Sequence, residues 1–183
     1  MIAEITLAPE IKEIASILAE RSFARYKNVA GHYRNTPNSH LVGKLGECAA
    51  FFWLSEQGCN TTPLFLDSKR DREADMIVDS HRVEIKTWSE QHWENLGRAV
   101  AVTQYPSIQK KADRILFVSV EGVDSSEPVA RLRGWVEVEA FAGMEPKMTG
   151  VAGRQIHNLQ IEPDQLKGEK EWKENRYSKP LFV

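Results

Sequence analysis

Asp75, Glu84 and Lys86 are two acids and a base whose spacing in this 183-residue sequence could do chemistry. Two runs of β-formers, Met76 to Val78 and Arg82 to Thr87, flank the turn-prone Asp79-Ser80-His81, which spells a hairpin. Side chains alternate along a strand, so Glu84 and Lys86 share one face while Val83 and Ile85 share the other. Asp75 opens the preceding strand, and the turn brings its carboxylate beside Glu84. Two carboxylates and an ammonium at the end of a hairpin suit a hard cation such as Mg²⁺ and a phosphate. The competing explanation is a solvated cluster of surface ion pairs.

The elements before the hairpin must bring anything else the site needs. Pro9 suits the first turn of a helix over about 8–28, with Ile11, Ile14, Ala15 and Leu18 at helical spacing. Arg21, Arg25 and Lys27 near its end complement the helix dipole, or continue with His32 and Arg34 into a phosphate-contacting rim. A loop follows over 28–39, and then a second helix over about 39–57, stopped by Gly58. Leu45, Cys48, Ala49 and Phe52 form one face of it, and Gly43, Ala50 and Leu54 form nearly the opposite one. A helix apolar on both sides is buried, so Glu47 lies inside or lines a cleft and needs a partner.

Beyond this helix the pattern is mostly strand. Thr61 to Leu66 reads as a strand, and the charged run Asp67 to Glu73 as a solvated loop. Trp88 is expected in the core, whereas Trp93 suits either the core or a surface for bases or sugars. Ala99 to Val102 reads as a strand and Pro106 to Ala112 as a short helix. Ile115 to Val120 is a nearly continuous apolar run, as in a strand covered on both faces. Arg131 to Phe141 is a long strand with Leu132, Gly134, Val136 and Val138 on one face. Ile156 to Ile161 reads as a short strand, Pro163 starts a helical turn, and mixed-charge Glu169 to Lys173 reads as exposed. The expected fold is α/β (α+β), a mixed central sheet flanked by helices in a single domain over 1–183.

Composition narrows the function. With 42% apolar and 27% charged residues the chain is globular rather than disordered. A net charge of −2 gives no global positive field, so contact with nucleic acid would rest on a local basic groove. Two cysteines, Cys48 and Cys59, make neither a zinc pattern nor a disulfide framework, which points to the cytoplasm. No apolar run approaches membrane-spanning length, and no secretory leader pattern opens the chain.

Asp75 followed nine positions later by Glu84-Ile85-Lys86, with Glu47 inside Gly43 to Ala49, resembles the PD-(D/E)XK nuclease superfamily, the restriction-endonuclease-like fold. Lys110 to Val118 is similar to that family's helix entering a buried strand, and Leu132 to Val136 to one of its late strands. The likeness covers roughly 41–138, with the N-terminal helix and the C-terminal extension packed on that core. It departs from the motif at Ala74, where a proline would stand. The resemblance implies a metal-dependent DNA endonuclease with Glu47, Asp75, Glu84 and Lys86 as its catalytic set. Mg²⁺, or Mn²⁺ in its place, would be held by Asp75, Glu84, Glu47 and the Ile85 carbonyl. Lys86 would orient or deprotonate the attacking water, or neutralise the phosphorane, and Gln104 would be an accessory. Lys69, Arg70, Arg72, Arg98 and Lys110 would touch phosphates of double-stranded DNA, and a homodimer would let both strands be cut.

Three rivals stand beside this expectation. One is a structure-selective or repair nuclease, of junction-resolvase or nicking type. Another is a nuclease-like module that binds nucleic acid or a partner without cutting. The third, a small-molecule enzyme, lacks a glycine-rich phosphate loop and a His-Glu-X-X-His motif, and His92 and His157 are isolated.

Overall fold

The computed structural model describes residues 1–27, 36–70, 72–149 and 155–175. The chain runs β1 (Ala3–Thr6), α1 (Pro9–Tyr26), α2 (Pro37–Glu56), β2 (Thr61–Pro63), β3 (Met76–Val78) and β4 (His81–Ser89). It continues α3 (Trp93–Leu96), β5 (Ala99–Ala101), α4 (Tyr105–Lys111), β6 (Arg114–Glu121) and β7 (Val129–Glu137). Last come β8 (Lys147–Thr149), β9 (Ile156–Gln160) and α5 (Glu169–Glu174). Six strands form a mixed sheet in the order β1-β7-β6-β4-β3-β2, and β5-β9-β8 form a second sheet. Among the described residues only β4 and β6 pair in parallel, and α4 lies in the crossover that such a pair requires. The expected mixed α/β architecture is therefore present.

The large sheet is covered on both faces. Leu18 of α1 and Leu45, Ala49 and Trp53 of α2 pack with Val83, Ile85, Leu116 and Val118. On the other face, Ile108 of α4 and Leu159 of β9 pack with Ile115, Phe117 and Val136. Alternate residues of β6 thus feed opposite cores, which explains its uninterrupted apolar run. Pro37 starts α2 two residues earlier than expected, behind a Thr36 cap whose hydroxyl accepts the Ser39 N–H at 3.2 Å.

Several expectations change. The strand expected to Leu66 stops at Pro63 and becomes a 3-10 turn, where Phe65 N–H bonds the Asp75 carbonyl at 3.0 Å. His81 is already in β4, so the hairpin turns on Asp79 and Ser80 alone, both with positive φ (47° and 77°). Leu132, Gly134, Val136 and Val138 do not share a face. A β-bulge opposite Phe117 and Val118 adds Arg133 to β7, so Leu132 and Trp135 join one core and Val136 and Val138 the other. Of the two tryptophans weighed above, Trp93 is buried in the core, while Trp88 packs against the same core but is only half-buried. The Glu169 to Lys173 segment is only partly exposed, because Trp172 packs edge-on against Trp135 at 5.3 Å. β1 and β8 escaped the sequence analysis; each is a short edge strand. His32 and Arg34 lie outside the described residues.

α2 lies close to the sheet at Gly46, where an added methyl would overlap the Thr87 side chain. Gly43, one turn earlier, has open space. Gly46→Val should lower the thermal midpoint by about 3–10 °C through overpacking. Gly43→Ala should hold or raise it. Circular-dichroism melting of the two variants against wild type measures this contrast.

Candidate active site

The site forms where the β3–β4 ladder stops. Met76 pairs with Val83, and β3 goes no further, while β4 continues six residues to Ser89. Continuing the register would set Asp75 against Glu84. The Ile85 N–H, which points away from β6, has no strand partner there; Asp75 Oδ2 accepts it at 2.6 Å. In a strand the carbonyl points to the same side as the N–H, so the Ile85 carbonyl faces Asp75 too. Glu47 comes from α2, whose approach is set by Gly46.

Each of the two glutamates is held by lysine. Glu84 is buried, with Lys86 Nζ at 2.9 Å from Oε1 and Lys111 Nζ at 2.6 Å from Oε2. Glu47 takes Lys44 Nζ at 2.6 Å. Burial pushes the Glu84 carboxyl up, but Lys86 and Lys111 outweigh it and hold it below the usual range. Burial raises the Glu47 carboxyl, with the Glu84 charge adding to it against the pull of Lys44. Asp75 is pushed up to about 8 by burial and then by the charges of Glu84 and Glu47, despite Lys111 and the Ile85 N–H. Burial works against the charged forms of Lys44 and Lys111, yet Glu47 and Glu84 respectively keep both pKa values raised. Three carboxylates from separate elements therefore feel one another's charge.

The other expected residues fall in different places. Gln104 stands at the N-cap position of α4 without a side-chain capping bond and shares a groove with Lys86. Arg70 lines a separate groove of about 390 Å³ with Arg21, Arg25, Lys44 and Asp75. It spends its guanidinium on Glu73, at 2.6 and 2.7 Å. Lys69, Arg72 and Lys110 are exposed outside both grooves. Arg98 does not join the phosphate-facing set. It is buried, with Nε bonded to the Ile161 carbonyl at 3.1 Å and its guanidinium over the Trp93 ring. Lys44 and Lys111 were missed. Lys44 stands one turn before Glu47 and was legible as a helical pair; Lys111 meets Glu84 only because β4 and β6 are parallel neighbours, which spacing does not reveal.

The donor set has the chemistry of a hard-cation site: carboxylates from three elements, a backbone carbonyl, and mutual repulsion that a cation would relieve. As placed, no three Asp, Glu, His or Cys side chains among the described residues gather closely enough to share one ion. Ion pairing to Lys44, Lys86 and Lys111 neutralises the glutamates instead, so a cation would compete with those lysines. The buried Cys48 thiol next to Glu47 is pushed up to about 12 by burial and by the Glu47 charge, which makes it a weak ligand and nucleophile. No family model matches the chain, and neither a curated protein nor a solved structure matches it.

Asp75 gives a pH test. Its folded value lies above that of an unfolded carboxyl, so its proton stabilises the fold fully below pH ~4 and that stability is lost as pH rises through about 8. In EDTA, Asp75→Asn should therefore gain stability relative to wild type as pH rises from 5 to 8. Urea midpoints of both proteins across that range measure the difference, and a constant difference would refute the assignment.

Proposed function

We propose that this protein is a metal-dependent nuclease that hydrolyses phosphodiester bonds of DNA, an endonuclease on the PD-(D/E)XK plan. The observation that carries the reading is that Asp75, Glu84 and Glu47, brought by separate parts of the chain, lie near enough to shift one another's ionisation, with Lys86 on Glu84. In this reading Asp75 and Glu84, helped by Glu47 and the Ile85 carbonyl, would hold Mg²⁺ or Mn²⁺ once the lysines give way. The bound ion would supply Lewis-acid polarisation of the phosphate and a water of lowered pKa. Lys86 sits where its ammonium can orient that water or offset charge on the phosphoryl oxygens. Lys111, released from Glu84, adds a second cation on the same side. Arg21 and Arg25, with Lys44, line the groove that opens on Asp75 and suit the phosphates of the strand being cut. Both strands of a duplex would be cut by a homodimer or by two successive nicks.

One observation favours a second reading, a nuclease-like module that binds nucleic acid without cutting. Lys44, Lys86 and Lys111 satisfy the glutamates with no cation at all. Supercoiled plasmid incubated with Mg²⁺, Mn²⁺ or EDTA decides between the two. The nuclease reading expects metal-dependent nicking or linearisation that Glu84→Ala and Lys86→Ala each reduce about a hundredfold or more. Wild type that binds DNA but cuts no substrate with either metal would sink it in favour of the module.

A further inference from the structure

A second groove, of about 350 Å³, starts at Lys86 and runs along Thr87, Trp88 and Ser89 toward β5 and β9. Its floor is the far part of β4, which lies beyond the end of the β3 ladder and pairs only with β6. The N-terminal turn of α2 forms one rim and Ala99 and Ala101 of the small sheet the other. This places the groove on the Lys86 side of the carboxylates, opposite in character to the arginine-lined groove at Asp75.

The lining suits a flat, polar, aromatic ligand. Trp88 is half-buried, packed against the core while the residue still lines the groove. Gln104 is half-buried and its carboxamide makes no hydrogen bond with the described residues. His92 lies close by, and Asn158 of β9 is buried, with its amide nitrogen spent on Thr149. A tryptophan and an unspent carboxamide lining one groove supply the means for stacking and for edge hydrogen bonds, the two ways in which unpaired bases are held. Trp88 follows Lys86 by two residues on the same face of β4, which sets them about 7 Å apart along the strand, the scale of one nucleotide. A groove of about 350 Å³ is on the scale of a single nucleotide.

We propose that this groove binds an unpaired nucleobase next to the phosphate held at Lys86, with Trp88 stacking on it and Gln104 bonding its edge. The substrate class is then DNA whose scissile strand is single-stranded, or carries an unpaired nucleotide at the cut, taken in preference to continuous duplex. The location beside a cleavage site rests on the nuclease reading; the binding of an unpaired base does not.

Fluorescence anisotropy in EDTA tests binding without cleavage. A labelled 12-nucleotide single strand is compared with the same sequence fully paired, at one salt concentration, for wild type, Trp88→Ala and Gln104→Leu. Wild type should prefer the single strand about tenfold or more, and each variant should lose most of that preference, with loss of one stacked base costing roughly tenfold. Gln104→Leu keeps the result decisive should Trp88→Ala fail to fold, since Gln104 packs no core. Equal binding of the two DNAs by wild type, or a preference that survives Gln104→Leu and a folded Trp88→Ala, overturns the proposal. The same DNAs are then given Mg²⁺. A groove-dependent preference without cutting keeps the base pocket and removes the nuclease; cutting of continuous duplex without preference does the reverse.

Discussion

The Ile85 amide needs a hydrogen-bond partner that no neighbouring strand supplies, and much of the candidate site follows from how that need is met. A nine-residue strand lies beside a three-residue one, and the longer strand leaves donors and acceptors facing outward where the shorter one ends. A buried backbone N–H left without a partner would cost about 1–3 kcal/mol. Asp75 fills that vacancy with a carboxylate instead of a carbonyl. The substitution puts ionisable chemistry inside the edge of a sheet, with the strand itself as scaffold.

Placing acids there creates an electrostatic problem that the rest of the region answers. Glu84 and Glu47 are buried and would repel both each other and Asp75. Three lysines arrive by three routes: Lys86 from the same strand, Lys44 from one turn of α2, and Lys111 from the end of the crossover helix. Removing one partner of such a pair leaves an uncompensated buried charge, which costs more than the pair itself contributes. The charges are therefore interdependent, and Asp75, which is paired with no lysine among the described residues, carries the residual strain as a raised pKa.

What the sequence showed and what it hid divide along physical lines. The hairpin, both long helices and the burial of Glu47 were legible because each rests on local periodicity or a local turn. β6 was legible from its apolar run, covered on both faces as expected. Lys111 was hidden because its contact depends on which strands are neighbours, and Arg98 was misjudged because nearness in sequence does not report burial. The bulge at Arg133 was equally invisible: one inserted residue shifts the alternation halfway along a strand, so a pattern count over β7 assigns half its side chains to the wrong face.

That bulge has a mechanical consequence. Without it, β7 would turn one apolar face to a single layer; with it, Leu132 and Trp135 are rooted in the helix-covered core and Val136 in the other. Gly134, at φ 149°, supplies the backbone freedom, with no side chain to collide with Leu166 behind it. One strand therefore rivets the two layers together. Loosening either layer therefore disturbs the same strand.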